Sequence, residues 1–317
     1  MNSSTASSRL HDKSPLRRRA EQRVIRWVTG AFALLARLLP LEVLHDIGDA
    51  VGSLLYCLLG HRRQIGIENL EKIFGDRLDA WDRARIVHFS MRNMAKTMLE
   101  LLKVPWMSEE DLQHFAHLRD TDNFQQAVDR GGVIAITGHF GNWELAAASI
   151  ARLGYQLSVI ARDANDQDTA NIINRSREMA GERVLPRESV REMLKTLRDG
   201  HILGILPDQH ANRGGIWVPF MGYPACTATG PATLANRTGA SIVPTFARRT
   251  EDDELDVYFL PAIALPDTGD READIRRGTE LVNEALGEQI MKYPEQWVWM
   301  HRRWREPPEE IAAGQAE

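Results

Sequence analysis

Gly131-Gly132-Val133-Ile134-Ala135-Ile136-Thr137-Gly138-His139-Phe140-Gly141-Asn142-Trp143-Glu144 is the stretch that decides how this chain folds. The paired glycines make a turn, the short and β-branched residues of 133–137 make a buried strand, and Gly138 and Gly141 permit a sharp bend before a helix beginning near Asn142. The same order repeats downstream. Strands are expected over 157–161, 183–185, 202–206, 241–246, 257–260 and 297–300. Helices are expected over 143–153, 169–180, 189–198, from Thr229 to the stop at Gly239, and over 274–291. Such alternation predicts an α/β fold: a mixed, mostly parallel sheet flanked by helices.

Upstream the pattern changes. Residues 62–130 look helical and connective, with Met91, Ala95, Met98, Leu99 and Leu102 on one apolar face that belongs in a core. Earlier still, Val24, Val28, Ala31, Leu35 and Leu38 recur at helical spacing, opposite Arg26, Gly30, Ala33 and Arg37, until Pro40 ends the run. A second apolar stretch covers 44–59. Each is shorter than the roughly 20 residues needed to cross a bilayer, and neither is free of charge. Arg9, Lys13, Arg17, Arg18, Arg19, Arg23 and Arg26 precede or enter the first of them. The expectation is therefore a pair of membrane-associated helices on an anionic lipid surface, with a tilted span from Val24 or a plain covering of the core as alternatives.

The division that follows is a basic, disordered tail over 1–16, a membrane-associated segment over 17–60, a catalytic domain over 61–306 and a flexible tail over 307–317. The 317 residues are ample for a buried core, and the 43% apolar and 26% charged composition excludes both a disordered chain and a polytopic membrane protein. Cys57 and Cys226 have no metal-ligand spacing, so a reducing setting fits and no structural metal is expected.

His139 is the candidate for chemistry. It falls at the carboxyl end of a strand, where open α/β sheets place their ligands. Glu144 follows five residues later, about 140° round an α-helix, which is wrong for one helical face but right for a loop histidine with a first-turn carboxylate folding back. Glu144 is then expected to accept the Nδ1 proton of His139 and leave Nε2 to deprotonate an alcohol. Backbone N–H groups of the same loop offer a place for an oxyanion. A satisfied loop histidine beside an ordinary helix acid fits the spacing equally well.

The wording of the segment resembles the H-x-x-x-x-D/E signature of glycerolipid acyltransferases, and in particular the late acyltransferases of lipid A biosynthesis. Ile67-Glu-Asn-Leu-Glu-Lys-Ile-Phe74, Asp208-Gln209, Val218-Pro-Phe-Met-Gly222, Thr229-Gly-Pro-Ala-Thr-Leu-Ala235, Gly239-Ala-Ser-Ile-Val-Pro244 and Pro294-Glu-Gln-Trp-Val-Trp-Met-His-Arg-Arg-Trp304 follow in that family's order. The resemblance implies an acyltransferase at the cytoplasmic face of the inner membrane. It would move a fatty chain from acyl carrier protein, or coenzyme A, to a hydroxyl of a membrane glycolipid, with no cofactor, metal or nucleic-acid partner. It makes His139 the general base and Glu144 its partner, and it assigns substrate contacts to Asn142, Arg162, Arg177 or its neighbour Arg175, Asp208 and Gln209. Asp208 follows a buried strand, so its carboxylate should face the same rim as His139. Trp297, Trp299 and Trp304 suit either a core strand or the lipid head-group layer. The alternatives are another glycolipid acceptor such as a phosphatidylinositol mannoside, a metal-dependent phosphoesterase using His139, Asp208 and His210, or a membrane adaptor without catalysis.

Overall fold

The computed structural model describes residues 15–161 and 167–306. The carboxyl-terminal tail, nearly all of the amino-terminal tail and the candidate Arg162 lie outside the described residues.

Helices come first: α1 (Pro15–Leu38), α2 (Leu41–Leu58), α3 (Gly60–Phe74), α4 (Ala80–Lys103) and the short α5 (Glu109–Phe115). Pro40 precedes α2 with an extended ψ of 157°, which breaks the two apolar runs where the sequence expects a break. Helix α2 crosses α4 very closely. A Cβ on Gly52 would lie 2.4 Å from the Arg92 Cα, so only glycine permits the crossing. Among the described residues no single helix is long and apolar enough to cross a membrane; α2 and the following helical segment, Gly60–Arg77, pass that test only as a pair bent by 90°.

The alternating part then begins with β1 (Ala116–Arg119), α6 (Thr121–Val128), β2 (Val133–Ile136), α7 (Trp143–Arg152), β3 (Leu157–Ala161), α8 (Gln167–Met179) and β4 (Arg183–Pro186). It continues through α9 (Val190–Arg198), β5 (Ile202–Ile205), β6 (Gly215–Phe220), β7 (Tyr223–Ala228), α10 (Gly230–Thr238), β8 (Ser241–Arg249), β9 (Leu255–Phe259) and α11 (Arg271–Lys292). Among the described residues, seven strands form one sheet in the order β1-β9-β8-β2-β5-β3-β4. All neighbours run parallel except β8 and β9.

Strand β2 lies at the centre and all four of its residues are buried. Val133 and Ala135 pack on one face with Leu145, Leu157 and Val243. Ile134 and Ile136 pack on the other with Val87, Met91, Trp297 and Trp299. A buried parallel strand shows this continuous apolar run because both of its faces are covered.

Three elements differ from expectation. β1 pairs with β9 across a long sequence separation, and its Ala116-His-Leu-Arg119 carries too little apolar alternation to announce an edge strand. β6 and β7 form a separate antiparallel hairpin, hidden in the sequence by Gly215 and Pro219. Residues 297–300 are not a strand. They follow a 3-10 turn, Pro294–Gln296, and touch the sheet through a single bridge between Phe140 and Trp297. Trp297 and Trp299 are fully buried, which decides for the core and against the head-group layer.

Candidate active site

The register of the sheet brings the reacting groups together. Ile136 of β2 is paired with Ile205 of β5, so the residues three positions beyond each, His139 and Asp208, leave the sheet side by side at its carboxyl edge. The Asp208 carboxylate is 1% exposed and accepts three hydrogen bonds. These come from the His139 backbone N–H (2.8 Å), the His139 Nδ1 (2.9 Å) and the Trp297 Nε1 (2.8 Å).

Burial would raise the Asp208 pKa, but the His139 charge and these donors hold it at about 2. An ionised carboxylate only accepts, so Nδ1 of His139 carries the proton and Nε2 keeps its lone pair. Burial also pulls the His139 pKa down. The Asp208 charge and hydrogen bond, with a further contribution from Glu144, outweigh it and set the imidazole above its ordinary 6.5.

The expected His139–Glu144 hydrogen bond is therefore replaced by His139–Asp208. Glu144, 4% exposed, accepts from Trp143 Nε1 (2.9 Å) and takes a two-point contact from Arg177, Nη2 to Oε1 at 2.6 Å and Nε to Oε2 at 2.9 Å. From the first turn of α7 it reaches α8, not back to the loop. Its influence on His139 is that of a nearby charge.

The loop itself is tightly held. Gly141 has φ +54°, and a Cβ there would fall 1.6 Å from the Ala247 carbonyl oxygen. The Gly141 N–H donates to the Gln296 carbonyl (2.8 Å) and the Asn142 N–H to Ala247 (2.9 Å). The Val298 N–H donates to the His139 carbonyl (3.0 Å). Asn142 caps α7 by accepting from the Leu145 N–H (2.9 Å) and donates to Glu100. It is fully buried. The resemblance assigns Asn142 to the substrate; instead it braces the loop from behind. Glu100 is paired there with Arg249 (2.8 and 2.7 Å), and Asn93 and Thr97 both donate to the Gly141 carbonyl at 3.0 Å. Sequence reasoning passed over this buried Glu100–Arg249–Asn93 support, because its members come from α4 and β8 and no local spacing links them.

Two cavities meet at Ile173 and Gln209, and Gln209 lies against the His139 ring. One, of about 570 Å³, is walled by apolar side chains such as Phe32, Leu55, Met94, Met98 and Leu102 from α1, α2 and α4, and reaches Gln209 and His301. Burial pushes His301 down to about 4, with its cationic neighbours adding to the effect, so it is neutral at pH 7. The other cavity, of about 710 Å³, contains His139, Trp143, Glu144, Thr137 and Asn174, with Arg177, Arg187, Arg213 and Arg237. Ile173 and Gln209 line both. Arg175 lies on the exposed side of α8 in a separate shallow recess, so of the two α8 arginines it is Arg177 that reaches the His139 cavity. No group of three or more His, Cys, Asp or Glu side chains among the described residues is placed to hold a metal ion.

The profile of the bacterial lipid A biosynthesis acyltransferase family matches residues 12–306. The chain belongs to that family. Similar proteins include the lipid A biosynthesis lauroyltransferase of Escherichia coli K12, 26% identical over 283 residues, which is 86% of this chain and 89% of the relative. The lipid A biosynthesis palmitoleoyltransferase of the same organism is 23% identical over 274 residues, 85% of this chain and 87% of the relative. A phosphatidylinositol mannoside acyltransferase of Mycolicibacterium smegmatis is 24% identical over 226 residues, 69% of this chain and 72% of the relative. This member of the family is thus an acyltransferase, with a histidine at a sheet edge that lines an arginine-bordered cavity.

Proposed function

We propose that this acyltransferase moves a fatty acyl chain from a thioester of acyl carrier protein or coenzyme A to a hydroxyl of a lipid A precursor, with His139 as general base. The observation that carries the reading is the junction: His139 lines an arginine-bordered chamber that meets a greasy chamber at Gln209, the residue lying against its imidazole. Both volumes fall in the range of roughly 300–1,000 Å³ usual for ligand sites. The apolar chamber suits the acyl chain, and the arginines suit an anionic, phosphorylated head group. The longer coverage of the lipid A relatives, 86% against 69% for the mannoside enzyme, favours a lipid A precursor over a phosphatidylinositol mannoside.

In the proposed step Nε2 takes the hydroxyl proton as the acceptor oxygen bonds to the thioester carbon. The tetrahedral adduct collapses with cleavage of the C–S bond, and the proton on Nε2 passes to the departing thiolate, giving an ester and a thiol. Asp208 fixes the tautomer and supports the transient imidazolium. Glu144 holds Arg177 in the wall of the arginine-bordered chamber and adds negative charge near the ring.

Helices α1 and α2 supply the proposed contact with the inner membrane at its cytoplasmic face. Trp27 is 75% exposed and Leu34, Leu38, Leu54 and Leu58 are also exposed, with Arg23 and Arg37 on the same segment. The same two helices wall the apolar chamber, which suits a substrate arriving from lipid.

The test is mass spectrometry of products after incubation with acyl carrier protein and coenzyme A thioesters and with lipid A precursors and mannosides. His139→Ala is expected to lose about a hundredfold or more of the activity. Full activity in that variant would sink the mechanism.

A further inference from the structure

General-base attack on a thioester needs a hydrogen-bond donor for the carbonyl oxygen as it becomes an oxyanion. Several candidates in the loop after β2 are already committed. The N–H of His139 donates to Asp208 (2.8 Å), that of Gly141 to Gln296 (2.8 Å), that of Asn142 to Ala247 (2.9 Å) and that of Leu145 to Asn142 (2.9 Å). Arg177 is occupied by the two oxygens of Glu144.

Gln209 differs. Its backbone follows Asp208, whose three hydrogen bonds fix the start of the residue, and its side chain lies over the imidazole with Nε2 at 3.4 Å from both ring nitrogens of His139. Of those two, Nδ1 carries a proton and cannot accept. The ring Nε2 can accept, but its lone pair lies in the ring plane, and a donor equidistant from both nitrogens sits off that plane. The carboxamide therefore has no strong protein partner. It borders both cavities, at the point where an acyl carbon and an acceptor hydroxyl would meet.

Building on the acyl-transfer reading above, we propose that the Gln209 carboxamide is a catalytic residue that donates to the thioester oxyanion. An incoming alcohol donates its O–H to the in-plane lone pair of the ring Nε2, and the neighbouring amide N–H turns to the carbonyl oxygen. The group that lies against the base becomes the group that receives the charge created when the base acts.

The experiment compares Gln209→Leu, Gln209→Glu and Gln209→Asn with the wild type and with His139→Ala, using an acyl thioester and an acceptor that the wild type converts, with kcat and KM measured across pH. Gln209→Leu is expected to lower kcat by about a hundredfold with KM within about threefold, since the interaction strengthens only in the transition state. Its acidic limb stays with the wild type. Gln209→Glu places a carboxylate against the ring, so kcat falls further and the acidic limb moves to higher pH. Gln209→Asn keeps a shorter carboxamide and recovers part of the loss. Melting temperatures close to wild type in all three exclude a folding effect, because among the described residues the side chain's polar contacts are the two long ones to His139.

A Gln209→Leu enzyme with kcat within a few fold of wild type, or with only KM raised, overturns the assignment and leaves the His139 reading standing. A wild type that transfers no acyl chain from any donor overturns both.

Discussion

Asp208 and Glu144 are both buried acids near one imidazole, yet only Asp208 touches it. That division of labour predicts distinct phenotypes. Asp208→Asn is expected to lower kcat by about 10³–10⁴, because an amide in that position no longer enforces the Nδ1–H tautomer. The base must be neutral to act, and Asp208 holds the His139 pKa above 6.5, so wild-type activity rises with pH through that elevated value. Without the carboxylate, the acidic limb of the residual activity moves to lower pH, and a pH profile of kcat/KM checks it. Stability follows the opposite partner. With Asp208 at about 2 against an ordinary 3.8, its contribution to folding is complete above 3.8 and is lost as pH falls towards 2. The sequence alone locates His139, since strand, turn and helix signals lie within a dozen neighbours of it. It also puts Asp208 on the same rim. It could not tell which carboxylate meets the ring, because that depends on Ile136 pairing with Ile205, a register set by packing across the sheet.

At the level of elements, the turn between β2 and α7 is fastened on three sides. Ala247 of β8 and the 296–298 segment take its backbone groups, and Asn93 and Thr97 of α4 hold the Gly141 carbonyl. Gly141→Ala must set a methyl group into the Ala247 carbonyl at a left-handed φ. A loss of about 3 kcal/mol or more is expected from clash and strain together, seen as a large fall in melting temperature. The glycines announce a sharp turn in the sequence, but what presses against them is invisible there. The same limit explains the 297–300 stretch. Its apolar aromatics look like a strand, whereas Trp297 is spent on Asp208 and on the sheet core, and the backbone makes one bridge only.

Across the whole molecule, the amino-terminal helices separate into a face that packs and a face that does not. Ala36 and Leu44 are buried, while Trp27, Leu34 and Leu38 stand exposed. Replacing these last three with serine is expected to reduce partitioning on to anionic vesicles on the order of a hundredfold, each side chain contributing about 1 kcal/mol in the interface. Vesicle flotation measures it, and undiminished binding would remove the membrane role of this face. Helical periodicity made these helices legible, and the α2–α4 crossing at Gly52 was not, because nothing in one helix records the closeness of another.

The fastening of the catalytic turn by residues 296–298 also has a temporal side. As the polypeptide leaves the ribosome, β2, β5 and β8 can align long before Gln296, Trp297 and Val298 emerge to clasp them. A nascent chain stalled short of that point would own its histidine and its aspartate yet lack the clasp that aims them.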